Sequence, residues 1–451
     1  MSIEEHQIKK TELIDLKENG GSENSSDGTL NVLVISGTEM FDGISEEWRN
    51  VAEISSTYIF QTYEWNRIWW KHFGDGQQLN ILLFYQDDLL LGIAPLFLDK
   101  VTFMGLKMYS CLRFIGSTVS QPEGEDLKGL LPYSDYLDLI IRPGYERQVN
   151  RKFMEYLANN ELDFNEVVLD EIPENSSLRN YLMPDLEEQD KDYLVQQSSA
   201  CPVIELGRSW DEHLADMSKS SRYKTRRFIK QAEKPGYKIF EIKEAPDKAG
   251  IEKAYEKLVK LHQKRWKDLG YPGIFDEKRM YNFLKEITLE FFDHGWAQCK
   301  LAHSIEENGK CIAVDLLFKY KRREYLVQRA LDSDSPSAEH GPGNVLLYVM
   351  LRDAAEKGIE EFDLLRGTES YKFRSANSLL KNDTVTFKNP GKKLALNFGF
   401  TKKFIKSRRR FRIEHEQFKI FLNGEKNLFN NIHDYGNFLY NRLSLKFNSK
   451  G

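Results

Sequence analysis

The sequence predicts a mixed α/β protein built from two similar halves, each a mostly antiparallel sheet flanked by helices, with a basic C-terminal extension. Three observations carry that expectation. Apolar runs of strand length recur in both halves, between segments with helical spacing. Each half runs as an antiparallel meander followed by one helix and one further strand. At 451 residues the chain is also too long for one compact core.

Residues 1–29 are polar, end in "GGSENSSDG" and read as a disordered arm. The first domain is expected over 30–200. It opens with "LNVLVISG" (30–37), continues with "LNILLFY" (79–85) and "LLLGIAPLFL" (89–98) as a hairpin, and adds "DYLDLII" (135–141) as a strand. A helix follows with apolar Val149, Phe153 and Leu157, then the strand "FNEVVLDEI" (164–172). The second domain is expected over 201–388 and opens with "CPVIEL" (201–206). "SWDE" (209–212) is a capping box, in which Ser209 caps a helix and Glu212 reaches back. A basic helix (218–234), a strand (237–242), helices near 248–268 and 276–294, and three strands ending in "EYLVQRALD" come next. A helix from 344 and the strand "EEFDLLRG" (360–367) complete a β–α–β unit.

Composition narrows the function classes. The chain is 41% hydrophobic and 29% charged, as a soluble globular protein is, and its longest apolar runs are too short to span a bilayer. The start, "MSIEEHQIKK", lacks the apolar core of a secretory signal. Four cysteines without CxxC spacing argue against a disulfide framework or a zinc site and fit a reducing cytosol. No metal site is expected, because the histidines are scattered singly. Residues 389–451 carry 14 Lys/Arg against 4 Asp/Glu, a balance of +10, which leaves −15 for the rest of a chain whose total is −5.

The stretch "EHGPGNVLLYVML" (339–351) places two glycines and a proline where a strand hands over to a helix. Such a turn either bends the chain or gathers free N–H groups at the positive end of a helix dipole, where phosphate binds. Gly341 and Gly343 permit close approach to the backbone, whereas Pro342 removes one donor. The pattern is neither a Walker motif nor a dinucleotide fingerprint.

Seven segments in order carry a resemblance: 60–74, 89–97, 135–141, "SKSSRYKTRRFIKQAEK" (218–234), "LHQKRWKDLG" (261–270), 330–358 and "FDLLRGTESYKFR" (362–374). Over roughly 40–388 the chain resembles the GNAT-type acetyltransferases of the CelD-like family, associated with cellulose and exopolysaccharide biosynthesis. That family is similar to the Fem-type tandem-GNAT enzymes, which use aminoacyl-tRNA in place of acyl-CoA. The resemblance implies two tandem GNAT-like domains, the second holding acetyl-CoA or another acyl-CoA. The donor loop would match Ala338–Gly343, with His340, Gly341, Gly343, Asn344 and Val345 binding the cofactor; Ala338, Glu339 and Pro342 depart from the family pattern.

N-acyl transfer needs a base for the amine, a polarised thioester carbonyl and a proton donor for the leaving thiolate. Glu369, Tyr371 and Lys372 follow the last strand at the lip that the resemblance assigns to the acyl site. Glu369 is the candidate base and Tyr371 the candidate acid; otherwise the segment is a surface loop whose tyrosine packs on the sheet. By strand alternation Asp363 points inward and needs a partner, most simply in an ion pair. Asp332 is a turn residue or a base, and Arg329 reaches a phosphate or pairs with Glu324. In the basic helix, Arg222, Arg226 and Lys230 share one face, which is either solvated or turned to an anionic partner. The tail stretch "KKFIKSRRRFR" (402–412) suits an anionic membrane surface or tRNA, or docks on the second domain.

The leading expectation is a cytoplasmic acyltransferase, peripheral at the inner membrane face if the tail binds lipid. It would move an acyl group from a small-molecule CoA donor to an amine acceptor on a sugar, amino acid or polysaccharide precursor. The alternatives are a Fem-like aminoacyl-tRNA-dependent transferase and a non-catalytic GNAT-fold scaffold in surface-polysaccharide assembly.

Overall fold

The computed structural model describes residues 30–103, 106–117, 134–158, 163–188, 193–207, 209–367 and 369–388. The expected arm (1–29) and basic extension (389–451, including 402–412) lie outside the described residues.

The first half begins with strand β1 (Leu30–Ile35) and helices α1 (Thr38–Gly43), α2 (Ser45–Ile54) and α3 (Tyr63–Phe73). Strands β2 (Gln78–Leu79), β3 (Ile81–Gln86), β4 (Leu89–Ala94), β5 (Leu96–Phe103), β6 (Leu106–Phe114) and β7 (Ile140–Ile141) follow. Helix α4 (Glu146–Ala158), strand β8 (Glu166–Pro173), helix α5 (Ser177–Glu188) and strand β9 (Tyr193–Glu205) lead into the second half. There, α6 (Trp210–Asp216), α7 (Lys219–Glu233), β10 (Phe240–Glu244), α8 (Lys248–Asp268) and α9 (Lys278–Asp293) precede the meander β11 (Ala297–Ser304), β12 (Lys310–Tyr320) and β13 (Arg323–Leu331). Helix α10 (Pro342–Glu356), strand β14 (Glu361–Asp363), helix α11 (Ser370–Ser375) and strand β15 (Ser378–Lys388) end the described chain.

Local chemistry explains the helix starts. Ser209 Oγ accepts from Glu212 N (3.2 Å), Ser218 Oγ from Ser221 N (3.1 Å) and Asp247 Oδ1 from Gly250 N (2.6 Å), each satisfying an amide that has no intrahelical partner. Trp65, Ile68 and Trp69 on α3 and Phe283, Ile287 and Phe291 on α9 form buried stripes at helical spacing.

Two sheets result. A four-stranded sheet runs β1-β3-β4-β7, and the larger runs β10-β11-β12-β13-β14-β9-β15-β8-β6-β5-β2. The hairpin β3–β4 and the meander β10–β13 are antiparallel, as the sequence predicts. Helix α10 carries the chain from β13 to β14, which pair in parallel, and α4 does the same between β6 and β8.

Three elements depart from expectation. The strand predicted over 135–141 shrinks to β7, because Tyr136 takes a left-handed φ of 57° and turns a buried ring toward the second half. Strand β9 starts at Tyr193, so the expected boundary at 200/201 falls inside it. Strand β15 has no counterpart in the sequence reading. It returns from the second half and pairs with β9 on one side and β8 on the other, drawing both halves into one sheet.

The core is likewise shared. Trp65 meets Phe283 edge-on (5.1 Å between centroids) and Phe60 meets Tyr325 (5.8 Å), so aromatic rings of both halves interlock.

Glu324 on β13 is 3% exposed, and burial pushes its pKa up from 4.5 to about 7, against the pull of Lys357, Lys319 and Lys300. Between those values the folded state binds more protons than the unfolded one, so this residue makes stability fall as pH rises from about 4.5 to about 7 and adds no slope above. Glu324→Gln removes that slope and raises stability on the alkaline side by about 3 kcal/mol, read from urea unfolding across the window.

Candidate functional site

The parallel pair β13–β14 is short. Arg323, Glu324 and Tyr325 face Glu361, Phe362 and Asp363, and then β14 stops. The chain leaves through Leu364, whose N–H donates to Pro202 O (3.0 Å), and Leu365, with a left-handed φ of 55°. Strand β13 runs on to Leu331 with no β14 residue opposite. On that side of β13 no strand among the described residues pairs beyond Tyr325, and a wedge opens there.

One wall of the wedge is the start of α10. A 3₁₀ turn (Pro336–His340) hands over at Gly341, with φ 70° and ψ 56°. The left-handed conformation favours glycine, and a Cβ at Gly341 would lie a tight 3.3 Å from both Phe228 Cε1 and Asn344 Nδ2. Gly341 O accepts from Asn344 N (2.9 Å) and Val345 N (3.1 Å). The amide of Gly343 has no backbone acceptor among the described residues. His340 stands 3.7 Å from the exposed Glu339 carboxylate, and the Val345 side chain is buried.

This turn is tied down from outside. The Glu307 carboxylate accepts from Ser335 Oγ and from Ser337 N (3.2 Å), while Ser337 Oγ meets Ser304 Oγ at 2.6 Å. Asp332 is gripped by Lys264 (3.1 Å) and Lys310 (2.9 Å), so of its two readings the turn anchor fits its contacts.

The opposite wall is α11, where the sequence allowed a surface loop. Tyr371 packs its ring 5.1 Å from the Arg329 guanidinium carbon. Arg329 is held bidentate by the fully buried Asp315 (2.8 and 2.6 Å), which decides its partner in favour of neither Glu324 nor a free phosphate site. Its Nη1 also lies 3.5 Å from where a Cβ of Gly343 would stand. Arg329 thus joins the glycine turn to Tyr371. Burial pushes the Tyr371 phenol up despite Arg329 and Lys372, so it stays protonated at neutral pH.

Lys372 is 7% exposed; its Nζ donates to Arg366 O (2.7 Å) and lies 3.4 Å from Glu369 Oε2. Burial pulls its pKa down, but Glu369, Tyr371 and Asp135 outweigh that, and the group is raised and stays charged. Glu369 stands at the N-terminal cap position of α11, where its side chain makes no capping hydrogen bond and its carboxylate is half exposed. Gly367 makes room for this pair, since a Cβ there would meet Glu369 Oε2 at 2.1 Å and Lys372 Nζ at 2.5 Å.

Behind Lys372 lies a charged cluster that sequence reasoning missed. Arg366 pairs with Asp135 (2.6 Å) and Glu171 (3.3 Å) and donates to Ser134 O. Glu171 also accepts from Ser199 Oγ (2.5 Å) and Asn382 Nδ2 (3.1 Å). Burial pushes the Asp135 carboxyl up, Arg366 opposes it, and Glu171 and Asp363 add to the rise. These residues come from five distant segments, so no spacing announces them. A backbone signal does exist: Tyr136, Glu171 and Leu365, all at or beside the cluster, are non-glycine residues with positive φ. No group of metal-ligating side chains occurs among the described residues.

Residues 219–373 match the model of an acetyltransferase (GNAT) domain. No curated protein sequence matches the chain. Among solved structures, FemX aligns with a TM-score of 0.53 at 12% identity, over 79% of this chain and 96% of its own. L-PGS from Bacillus licheniformis aligns at 0.45 and 12% identity (82% and 96% covered), and a tandem GNAT protein from the clavulanic acid biosynthesis pathway at 0.40 and 11% (80% and 99%). The chain therefore has a GNAT-like fold, and the wedge, the glycine turn and α11 all lie within or at the end of the matched domain.

Removing the cation of the buried cluster tests its electrostatics. Arg366→Leu leaves Asp135 and Glu171 without it and costs about 3–5 kcal/mol at mildly alkaline pH. The loss shrinks as pH falls, because protonation of the Asp135 carboxyl, which burial pushes up, relieves it. Urea unfolding at alkaline and acidic pH reads both effects.

Proposed function

We propose that the chain is an acyltransferase that moves an acyl group from a CoA thioester to an amine. The observation that carries this reading is the joining of the glycine turn to Tyr371 through Arg329, at the mouth of the β13–β14 wedge. The open Gly343 amide and the α10 dipole favour an anion at the turn. The unpaired edge of β13 suits an extended, amide-bearing arm running into the wedge, which is the shape of a pantetheine. His340, Gly341, Asn344 and Val345 would shape the donor end of the site.

At the inner end, the amine nitrogen attacks the thioester carbonyl carbon and the C–S bond breaks. Glu369, exposed at the lip, is the proposed acceptor for the amine proton, and Tyr371 is the proposed donor to the departing sulfur. Lys372, 3.4 Å from Glu369 Oε2, positions that carboxylate. An amine on a sugar, amino acid or polysaccharide precursor is the proposed acceptor class, on the strength of the CelD-like segments.

Thermal unfolding with and without excess acetyl-CoA tests the donor. A ligand at about 100 times its Kd stabilises the folded state by about 2.7 kcal/mol. Gly343→Trp should lose the shift. Gly343→Ala, whose methyl would meet Arg329 and Leu331 at ordinary 3.5 Å contacts, should keep the fold and weaken it. Once an acceptor is found, Tyr371→Phe should lower turnover by about a hundredfold with little change in KM. If no acyl-CoA shifts the melt while tRNA binds with a steep salt dependence, the donor is an aminoacyl-tRNA. If neither binds, the fold serves as a scaffold.

A further inference from the structure

Helix α7 has a face that the donor site does not use. Its Thr225 and Ala232 are buried, and Phe228 stacks on Tyr348 of α10 (5.8 Å, 13°). At about 3.6 residues per turn the opposite side carries Lys219, Arg226 and Lys230 around Tyr223, with Lys234 just past the helix end. All are exposed, and Tyr223 is 71% exposed. Arg227 lies at the margin, over the Phe228 ring (5.0 Å). The helix has one acid, Glu233, and it is turned to Arg352 (2.6 Å). Among the described residues no carboxylate pairs with Lys219, Arg226, Arg227 or Lys230. A second exposed ring, Tyr237, sits under Lys234 (4.8 Å) and next to the exposed Lys238.

We infer that this face is a docking surface for an anionic phospholipid bilayer. The apolar side of α7 is already spent on α10, so the helix has no greasy face to insert. What remains is a single-sign stripe with a tyrosine at its centre and another beyond its end. That arrangement suits charges lying on a headgroup layer with amphipathic rings at its level. Nucleic acid would be read in a groove or by stacked bases. The stripe is on the outer side of its helix, and the hollow next to it, of about 250 Å³, is lined by three acids (Glu233, Glu244, Asp353) and three lysines (Lys238, Lys243, Lys300), so it offers a polyanion no single-sign groove. No helix among the described residues is long and apolar enough to cross a membrane, so contact through α7 would be peripheral. Phe228, on the packed side of the same helix, lies against the Gly341 turn, so the docked face and the proposed donor turn lie across α7 from one another; the inference itself holds for any donor.

The test is co-sedimentation of the full chain with vesicles of phosphatidylcholine alone, or of phosphatidylcholine with an equal part of phosphatidylglycerol. Binding is expected only to the anionic vesicles and weakens with added salt. The triple variant Lys219→Glu, Arg226→Glu, Lys230→Glu should lose at least about a hundredfold in affinity with an unchanged melt. If reversal unsettles the helix, the corresponding glutamine triple variant reads the same face and should also lose affinity. Tyr223→Ser should weaken binding several-fold and leave its salt dependence intact. Wild type that ignores anionic vesicles overturns the inference. So does a triple variant that binds them as wild type does, because the charge then comes from elsewhere, such as residues 389–451. Tighter binding of a single-stranded RNA oligonucleotide, lost in the same variant, assigns the face to nucleic acid instead.

Discussion

A buried carboxylate at the end of β14 organises the molecule. Asp363 is fully shielded from solvent, and burial pushes its pKa up. It can stay ionised only if its lone pairs are satisfied. The partners come from three places: Arg323 on β13 (3.1 Å), Tyr136 of the first half (2.7 Å) and the Leu365 amide (2.8 Å) of the turn that leaves the sheet. One side chain therefore ends the parallel pairing, docks one half on the other and directs the chain toward α11. Arg323 is held in turn beneath Tyr58 (4.8 Å) and close to Tyr136 (5.9 Å). The wedge is a consequence of this satisfaction problem.

From that point the site is built by constraint on both sides. The glycine turn is held by Glu307 and by the lysine grip on Asp332, so the start of α10 is placed by three other elements. The α11 wall is held through Lys372 and the Arg366 cluster, which reaches into the first half and to β15. Arg329 is neutralised by Asp315, so its role at the mouth is more geometric than electrostatic. An anion proposed at the turn would then be held by backbone amides and the helix dipole, a contribution of about 0.3–1 kcal/mol at an exposed site. The shared aromatic core and the returning strand β15 make rigid-body motion between the halves costly, which suits a site assembled from both.

What could be read in the linear chain follows from periodicity and local chemistry. Alternation marked β3–β4 and the β11–β13 meander, helical spacing marked α4 and α7 to α10, and Ser209 announced its cap. The glycine turn and the inward Asp363 were legible for the same reason, since a positive φ and strand alternation depend on near neighbours. Strand β15 and the true extent of β9 were not, because "SLLKNDTVTFK" alternates weakly and is stabilised as a strand by β8 and β9 on its two flanks.

The sequence by itself determined the element types over most of the described chain and the place of the glycine turn. It also put Glu369, Tyr371 and Lys372 just after the last strand of the unit. Only the tertiary structure decided that Arg329 turns to Asp315 and links Gly343 with Tyr371, and that Arg366 gathers Asp135 and Glu171. The reason is the range of the forces. Propensity and capping act within a few residues, whereas a buried charge takes whatever partner the packing brings within reach, from any distance along the chain.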